Sequence, residues 1–529
     1  MGVLLVPAVV TAFLSPPPSR SWARWRAPPR AGATVPNEVT AENPLRVVIA
    51  GAGVGGLALA NALRSCPHVE VTVFEKTSEF KRFGGPIQLA SNAMQIFKAI
   101  DGQVYAEIEK KFTWTGNLTN GIKDGLRDEW YAKFDLKSPA DARGMPYTGV
   151  IERPELQDIL LRHLGQGVVL NGQAVAGYDQ EASEVLVELT DGSRVGADVL
   201  VGADGIWSEV RATMRSEPSR GEGSGVAYSG YTVFAGELDY ESPTRGIQGY
   251  SVYIGPNQYF VITDIGNGRY QWYAFLARPP NSAEVEEKPD GNVGYLRAIF
   301  EGWSPDIHDI LSATGEHEIE QRDLYDRPPS ALRSWSDGAV ALLGDSIHAM
   351  MPNLGQGGCQ AIEDAFVIAQ ELNATTARTR VPVALKRYRD RRLVRSATVQ
   401  GLSRFASDII IRGFDTPFKL VVEDGKKLRF ENANYAGIVT RLMQGILPLF
   451  FMAQFNFLYD GWRNEVAFDL KAGLIIASFG ALLLLLAAGA VGDLAILLPF
   501  GLESLGATEL FASLSETISS VLPSIDSVL

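Results

Sequence analysis

The alternation of apolar and polar positions predicts a strand–turn–helix–strand unit near residue 50. The run Leu45–Ala50 is apolar and rich in β-branched residues, and a glycine-rich turn follows it at 51–56. A helical pattern then continues to Arg64. A second apolar run, Val69–Phe74, leads directly to an acidic residue. This order predicts a βαβ unit and an α/β domain of the Rossmann type.

The middle of the chain, residues 226–324, is predicted to be rich in strands. Apolar residues alternate with polar ones in four runs, at 231–238, 250–255, 258–265 and 269–277. Turn-forming residues separate these runs, which is typical of an antiparallel sheet. The sheet is expected to cover a substrate site. Trp272, Tyr273 and Phe275 then either line that site or fill the core of the sheet.

The C-terminal part contains a segment long enough to cross a membrane. Ala472–Val491 has twenty residues without a charge, and a helix of that length spans about 30 Å. The segment predicts a transmembrane helix, with a buried core helix as the alternative. Residues 401–470 are predicted to be helical and to include a membrane-docking stretch at Gly445–Leu458. Residues 492–529 form an acidic tail.

The N-terminal residues 1–42 are predicted to be a targeting leader. A short apolar run, Val3–Leu14, precedes a stretch with four arginines and no acid before Glu38. This order resembles the bipartite plastid leaders of algae with complex plastids; a secretory signal followed by a basic linker is the alternative. Arg463 and Lys471 precede the apolar span, which predicts that the large N-terminal part faces the stroma from a thylakoid or envelope membrane.

Composition excludes several classes of protein. The 529 residues are 46% hydrophobic and 21% charged, which permits a large core and excludes a disordered chain. The net charge of −13 argues against nucleic-acid binding. Two cysteines exclude a disulfide scaffold, and five histidines without ligand spacing predict no metal site. The basic run at 387–395 is expected to be a solvated face or to meet anionic lipid headgroups.

The glycine-rich turn has the spacing of a dinucleotide-binding site. Gly51 suits the tight turn, Gly53 allows the backbone to approach a pyrophosphate, and Gly56 allows the helix to pack on the strand. The N-terminus of the following helix offers N–H groups to phosphate. Glu75 ends the second strand, where a carboxylate accepts hydrogen bonds from ribose hydroxyls. The motif alone does not distinguish NAD from FAD.

Two later motifs make that distinction. Asp198–Arg211 reads as a strand, an Asp-Gly pair and a helix start, and Ala339–Asp364 reads as a strand, a Gly-Asp pair and a glycine-rich turn. Together with the first motif they resemble the three fingerprints of class A flavoprotein monooxygenases, which have the p-hydroxybenzoate hydroxylase fold. The resemblance implies an FAD-binding domain at 45–225 and 325–400, with the β-sheet region inserted between them.

The resemblance also implies roles for individual residues. Asp345 would hold an FAD ribitol hydroxyl, and Arg153 would reach toward FAD. The remaining residues implied to bind FAD are Arg82, Asp204, Gly205, Arg211, Gly344, Leu354 and Gly358. The residues implied to face the reacting flavin ring are Pro352, Gly355, Gln356 and Gly357. Helix N–H groups near these glycines would stabilise negative charge on the reduced ring.

A narrower resemblance is to the zeaxanthin epoxidases. Five blocks carry it, at Gly84–Asp101, Tyr228–Gly236, Gln258–Phe275, Gln321–Pro329 and Gly344–Ala365. The likeness extends from about Leu45 to Arg395. The segment from Arg82 to Gly85 is shorter than in the plant pattern. The forkhead-associated domain of the plant enzymes is absent from the sequence, as in an algal type.

The resemblance implies an FAD-dependent monooxygenase that epoxidises the β-ionone ring of a xanthophyll in the membrane, through a C4a-hydroperoxyflavin. Electrons are expected from NADPH, either directly or through reduced ferredoxin. No side-chain nucleophile is needed, because the cofactor supplies the chemistry. The alternatives are an FAD-dependent aromatic hydroxylase acting on a soluble phenol and a non-catalytic membrane-anchored flavoprotein.

Overall fold

The structure, a computed structural model of the chain, describes residues 37–80, 85–182, 184–255, 257–282, 287–329, 334–415, 420–421, 427–428 and 447–460. Four predicted features lie outside these residues: the leader up to residue 36, Arg82, the apolar span Ala472–Val491 and the acidic tail. Within the described residues, no helix combines the length and the apolarity needed to cross a bilayer.

The described residues form strands and helices with the following bounds. The strands are β1 (Leu45–Ala50), β2 (Val69–Glu75), β3 (Ile87–Leu89), β4 (Thr113–Trp114), β5 (Thr119–Asp124), β6 (Trp130–Phe134), β7 (Gly149–Ile151), β8 (Val169–Asn171), β9 (Val175–Gln180), β10 (Val185–Leu189), β11 (Arg194–Ala197), β12 (Val199–Gly202), β13 (Ala227–Asp239), β14 (Gln248–Gly255), β15 (Gln258–Gly266), β16 (Arg269–Ala277), β17 (Ile319–Asp326), β18 (Ser336–Asp337), β19 (Val340–Leu342), β20 (Leu420–Val421) and β21 (Lys427–Leu428). The α-helices are α1 (Val54–Arg64), α2 (Ser91–Ile100), α3 (Gly102–Lys111), α4 (Lys137–Asp141), α5 (Arg153–Leu164), α6 (Glu209–Arg215), α7 (Gly291–Ile299), α8 (Pro305–Ala313), α9 (Asp345–His348), α10 (Gly357–Asn373), α11 (Val381–Asp415) and α12 (Leu447–Asp460).

A six-stranded sheet forms the first layer, in the order β18–β19–β12–β1–β2–β8. All pairs are parallel except the edge pair of β18 with β19. The predicted βαβ unit is confirmed, with β1, α1 and β2 at the expected places and β2 ending at Glu75. Helix α1 packs against α10. Both are buried along most of their length because small and apolar residues dominate their sequences.

A seven-stranded sheet forms the second layer, in the order β17–β13–β16–β15–β14–β5–β6. The strands of the middle region, β13 to β17, pair in antiparallel fashion, as their alternating pattern indicates. Strands β5 and β6 extend this sheet from outside the predicted region, and β5 pairs in parallel with β14. The sequence of β5 is mostly polar and gives no strand signal, because buried polar residues such as Asn120 and Asp124 interrupt the apolar alternation. Strand β6 is a run of only five residues.

The two faces of the seven-stranded sheet have different cores. Helices α7 and α8 supply the cover on one face, where Trp272 stacks on Phe260 with ring centroids 5.4 Å apart. On the other face, Tyr259 and Phe275 stack at 4.2 Å and pack in the same cluster as Met351 of the first layer. Because strand side chains alternate between faces, Trp272 and its neighbours in β16 point in opposite directions.

The basic run at 387–395 is part of α11, and the expectation that it is a solvated face is wrong for two of its arginines. The side chains of Arg392 and Arg395 are 2% and 7% exposed and form ion pairs with acids of α10. Arg387 and Arg391 pair with Glu371 at the edge of the same interface. The basic residues of α11 are therefore neutralised by acids of the neighbouring helix α10. The periodicity of one helix does not reveal which residues of another helix it will meet.

Helix α12 belongs to the same compact unit as the two sheets. It includes residues 447–458 of the docking stretch predicted at Gly445–Leu458, and it packs on α2, α4 and β6. Leu458 and Tyr459 near its end are 1% exposed. A second compact unit is represented among the described residues only by the hairpin of β20 and β21.

Candidate functional site

The three glycines of the first turn differ in what surrounds them. Gly51 has a φ of +102°, and a Cβ atom there would lie 2.5 Å from the carbonyl oxygen of Ala203. At Gly56 a Cβ atom would lie 2.1 Å from the carbonyl oxygen of Gly51. At Gly53 it would meet no protein atom within 4 Å. Packing therefore requires the first and third glycines, whereas the second borders open space that suits a ligand.

Glu75 supports the same turn from the end of β2. Its Oε2 accepts the N–H of Ala52 at 2.8 Å, and its Oε1 accepts the N–H of Thr77 at 2.9 Å. The side chain is nearly buried. A carboxylate has about four acceptor sites, so these bonds leave capacity for a ribose hydroxyl. The structure thus gives Glu75 a positioning contact that the sequence analysis did not predict.

Asp204 and Gly205 are joined to the Gly-Asp pair of the third motif through Ser346. The hydroxyl of Ser346 donates to Oδ1 of Asp204 at 3.1 Å and accepts the N–H of Gly205 at 3.1 Å. Oδ2 of Asp204 accepts the N–H groups of Glu209 and Val210 at the start of α6. Burial raises the pKa of the Asp204 carboxyl. Two motifs more than a hundred residues apart therefore meet at one serine.

Asp345 is the clearest ligand-binding candidate of this region. Its side chain is exposed, and yet burial among the surrounding protein raises its pKa, while the charge of Arg153 is among those that oppose the rise. A group that is both accessible and enclosed lines a cleft. Among the described residues, the Asp345 carboxylate has no hydrogen bond and no ion pair. An acceptor-only carboxylate without a protein partner suits a sugar hydroxyl, so the site fits an FAD ribitol chain.

Arg153 begins α5 and connects the two layers electrostatically. Its side chain is exposed, and within the described part of the chain it has no ion pair. Burial raises the pKa of Asp345 and the pKa of Tyr273 on the seven-stranded sheet, and the charge of Arg153 opposes both rises. Arg153 therefore lies within electrostatic reach of both the Gly-Asp motif and the sheet, and its contact with FAD stays a prediction.

The turn after Met351 positions the residues expected to face the flavin ring. Pro352–Leu354 form a single 3-10 turn, and Gly355 follows with a φ of +59° in the left-handed region. A Cβ atom at Gly355 would lie 2.8 Å from the Gln88 side chain. Helix α10 then begins at Gly357 without a side-chain cap. Its first N–H groups and its positive dipole end are available to an anionic ligand edge.

Gln356 is placed differently from its neighbours. Its side chain is almost fully buried, and its Oε1 accepts the amides of Asn92 and Gln360 at 3.3 Å. Asn92 also donates to Glu363, which pairs with Arg392 and Arg395. Burial alone would raise the pKa of Glu363, but the two guanidinium groups outweigh it and lower the pKa to about 2. The Gln356 side chain thus belongs to a buried charge network behind the turn.

Asp364 of α10 contacts the Gly-Asp motif through hydrogen bonds of its carboxylate. Its Oδ2 accepts the N–H of Gly344 at 3.0 Å and contacts Nε2 of His348 at 2.6 Å, while its Oδ1 accepts from Arg392 at 2.6 Å. The sequence analysis did not assign roles to Asp364 or Ser346. A signal for Asp364 existed: two adjacent acids inside an apolar helix must find basic partners when they are buried.

Two of the described candidates, Arg211 and Trp272, are not brought into the cleft with the others. The guanidinium of Arg211 is fully buried, where Nη1 donates to Glu217 and to the carbonyl of Ser224. Trp272 lies on the helix-covered face of the sheet and donates to Thr314 at 2.9 Å. Arg82 lies outside the described residues. In contrast, Tyr273 and Phe275 lie on the face toward the first layer. Tyr273 is half-buried there, and Phe275 is buried.

The fold and the site define a dinucleotide-binding flavoprotein, with a glycine turn on a parallel sheet and a cleft under a second sheet. The sequence matches the family described as FAD binding domain over residues 44–402. The chain belongs to this family. The expected α/β fold and the expected FAD cofactor are therefore confirmed.

Curated relatives share the same region. Zeaxanthin epoxidase, chloroplastic, of an Oncidium hybrid cultivar is 42% identical over 388 residues, which cover 71% of this chain and 57% of the relative. The protein of that name from Arabidopsis thaliana is 42% identical over 368 residues, 67% of this chain and 53% of the relative. This chain spans about half the length of the curated relatives it matches. HpxO of Klebsiella pneumoniae, solved with FAD and uric acid, superposes with a TM-score of 0.61 at 25% identity, covering 69% of this chain and 88% of that one.

Proposed function

We propose that this chain is an FAD-dependent monooxygenase that epoxidises the ring double bond of xanthophylls, either zeaxanthin to antheraxanthin and violaxanthin or diatoxanthin to diadinoxanthin. The observation that carries the proposal is the cleft at Asp345, whose accessible carboxylate has no hydrogen bond or ion pair among the described residues and lies within electrostatic reach of Arg153. The names of the relatives that are 42% identical supply the substrate class.

In this proposal the first layer holds the FAD. Gly51, Gly53 and Gly56 with the start of α1 receive the pyrophosphate, Glu75 the ribose, and Asp345 a ribitol hydroxyl. The other residues proposed to contact or shape the FAD site are Arg82, Arg153, Asp204, Gly205, Gly344, Leu354 and Gly358. Arg211 is proposed to act through the Ser224 loop rather than by contact. When bound and reduced, the flavin supplies the activation of O₂.

The protein's own contribution is position, charge and exclusion of water. The backbone of Pro352–Gly357 and the free N–H groups of α10 would stabilise negative charge at the flavin edge. No side-chain nucleophile is required, and burial raises the pKa of the nearby Cys359 thiol to about 12, which keeps it protonated. One oxygen atom of O₂ enters the ring double bond and the other leaves as water. The two electrons come from NADPH, directly or through reduced ferredoxin.

The proposed setting is a plastid membrane, with the catalytic part on the stromal side. Support comes from the sequence of the leader, from the uncharged segment Ala472–Val491 and from relatives named chloroplastic. A substrate dissolved in the bilayer gives an anchored enzyme a reason to remain at the membrane. Alkaline extraction of membranes that contain the full chain tests this part of the proposal: an anchored protein stays in the pellet, and a peripheral one is released.

The decisive experiment supplies zeaxanthin and a reductant to the purified full chain with FAD under ¹⁸O₂. Products that are heavier by one or two labelled oxygen atoms are expected, and their ratio shows whether one ring or both react. Hydroxylation of small phenols without any epoxide would favour the aromatic hydroxylase. A lack of O₂ consumption with every reductant, in protein that retains FAD, would favour the non-catalytic flavoprotein.

Replacing Asp345 tests the cofactor site. Asp345→Ala removes a charge-assisted hydrogen bond worth about 1.5–3 kcal/mol, so the dissociation constant of FAD is expected to rise about tenfold or more. Flavin fluorescence during titration of the apoprotein measures it. Asp239→Ala, at an exposed strand end, is the matched control and should bind FAD as the wild type does. Unchanged FAD affinity in Asp345→Ala would show that the ribitol site is elsewhere.

A further inference from the structure

Four side chains form a continuous apolar row across the face of the seven-stranded sheet that looks toward the first layer. Strand pairing places Ile122 of β5 beside Val252 of β14, Val252 beside Val261 of β15, and Val261 beside Tyr273 of β16. All four pack against the cluster that includes Met351, which identifies their face. This set of four residues is called the sheet row below.

The four side chains of the sheet row are half-buried, whereas the neighbouring side chains on both faces of the sheet are almost fully buried. On the opposite face of the same strands, Tyr253, Phe260 and Trp272 are at most 1% exposed. On the same face, Tyr259 and Phe275 are the next residues along β15 and β16 and belong to the cluster of Met351. Both are at most 5% exposed. The first layer therefore covers one part of this face and leaves the sheet row uncovered. Burial nonetheless raises the pKa of Tyr273 to about 12, as expected for a side chain inside a cleft.

The end of the sheet row at Tyr273, called the inner end, is polar and adjoins the proposed flavin site. Tyr273 donates a hydrogen bond to Oε1 of Gln271 at 2.5 Å, and Arg153 acts electrostatically on both Tyr273 and Asp345. The amide of Gln271 lies against Gly85, where a Cβ atom would be only 1.9 Å from it. A hydroxyl on a substrate ring would find donors and acceptors here.

The outer end of the sheet row is aromatic and reaches α12. Phe134 of β6 lies 5.9 Å from the Tyr250 ring and 4.4 Å from the Phe451 ring, and Phe455 is 6.2 Å away, all between ring centroids. These four rings are half-buried. Leu354 of the flavin-facing turn packs against the cluster that contains Leu458 and Tyr459 of α12, which brings the end of α12 close to that turn.

We infer that the sheet row, with the Phe134–Phe451 aromatic contact at its outer end, binds the long apolar chain of a hydroxylated polyene whose ring lies at the Tyr273 end. This inference rests on the proposed function. Three inter-strand steps of about 4.8 Å make the sheet row about 14 Å long before the aromatic contact is added. A track one residue wide and several strands long suits a thin, rigid hydrocarbon chain. A small aromatic acid would contact only its inner end.

Binding of two probes to the full chain with FAD tests the inference. The long probe is zeaxanthin, and the short probe is 3-hydroxy-β-ionone, which has the same hydroxylated ring without the chain. Quenching of protein fluorescence gives both dissociation constants. Val252→Trp, which fills the middle of the sheet row, is expected to raise the ratio of the long-probe to the short-probe constant at least tenfold. Val394→Trp, at an exposed position of α11, is the control and should leave the ratio unchanged.

A second variant guards against misfolding of the first. Phe451→Ala removes a half-buried ring at the outer end, and it should raise the dissociation constant of zeaxanthin several-fold without altering that of the short probe. An unchanged ratio in both variants would overturn the inference and leave the proposed function intact. So would displacement of zeaxanthin by phospholipid acyl chains at equal concentration, because the sheet row would then be a lipid site. A wild type that retains FAD but binds neither probe would contradict the proposed function as well.

Discussion

Two glycines of the first turn are needed for different reasons, one for folding and the other for ligand binding. Gly56 brings α1 against the turn, since any Cβ atom there would collide with the backbone of Gly51. Gly53 has an ordinary φ of −69° and no protein atom near its Cβ position. The backbone therefore tolerates a side chain at Gly53, and the constraint on this position comes from the ligand.

This difference predicts opposite behaviour of two alanine variants. Gly53→Ala should lower the unfolding free energy of the apoprotein by no more than about 1 kcal/mol, because alanine is a poorer N-cap residue than glycine but meets no protein atom here. It should nevertheless weaken FAD binding. Gly56→Ala should lower the stability of the apoprotein by several kcal/mol through overpacking. Urea unfolding of both apoproteins, paired with FAD titration, measures the contrast. Equal stability of the two would contradict this interpretation.

At the level of elements, buried charges hold α10, α11 and α12 together. Arg395 of α11 donates to both oxygens of Glu363 and to the carbonyls of Phe457 and Leu458 at the end of α12. A guanidinium at that position caps a helix C-terminus and complements its dipole. Tyr459 then inserts beside Thr148, with the two hydroxyl oxygens 3.1 Å apart. The docking of α12 thus depends on an arginine that the sequence pattern assigned to a surface.

Removal of that arginine should detach α12. Arg395→Gln leaves Glu363 with one buried partner fewer and exposes two helix carbonyls, so a loss of about 3–5 kcal/mol of unfolding free energy is expected. Arg391→Gln, whose partner Glu371 lies at the interface edge, should cost about 1 kcal/mol or less. Urea denaturation of the FAD-loaded proteins measures both. Similar losses in the two variants would show that the contacts of Arg395 stabilise the fold no more than those of Arg391.

The same network gives a pH dependence of stability. The pKa of Glu363 is lowered from 4.5 to about 2 in the folded chain, so the unfolded chain binds a proton first as the pH falls. Its stabilising contribution is complete above about pH 4.5 and is lost between that value and about pH 2. The unfolding free energy of the wild type should therefore fall in this window. Glu363→Gln should show a smaller slope there, whatever its absolute stability, and an identical slope would refute the assignment.

At the level of the whole molecule, the two layers are held in register at the turn that faces the flavin. The hydroxyl of Tyr259 on the seven-stranded sheet donates to Oδ1 of Asn353 at 2.9 Å. Tyr259, Phe275 and Met351 fill the space around this bond with apolar contacts. The position of the sheet over the cleft is therefore coupled to the position of the Pro352–Leu354 turn.

Loss of this bond should affect coupling more than folding. Tyr259→Phe removes one buried hydrogen bond, which is expected to cost about 1 kcal/mol of stability. A less fixed turn should also increase the fraction of O₂ released as hydrogen peroxide during turnover, which a peroxidase-coupled assay measures. Tyr178→Phe removes a half-buried hydroxyl of β9, outside the cleft, and serves as the control. Equal peroxide yields in the two variants would show that Tyr259 does not position the turn.

Local signals in the sequence were sufficient for the first layer. The glycine turn, the strands on either side and the Gly-Asp pair depend on short segments whose patterns have physical causes, namely turn geometry and apolar alternation. The signals failed where partners are distant. Strand β5, with its buried polar residues, is held by pairing with β14, and β6 is held by pairing with β5. Gln356 turns inward because Asn92 and Gln360 hold its side chain.

The sequence by itself determined the βαβ unit, the three motifs and the strand-rich middle region, because each motif and each strand is encoded in a short run of consecutive residues. Only the tertiary structure decided which charges are buried and which side chains share the cleft. Arg211 and Arg153 are equally basic in the sequence, but the first is enclosed by the Ser224 loop, whereas the second is exposed and acts electrostatically on Asp345. Burial and charge pairing depend on contacts between residues far apart in the chain, which no local pattern encodes.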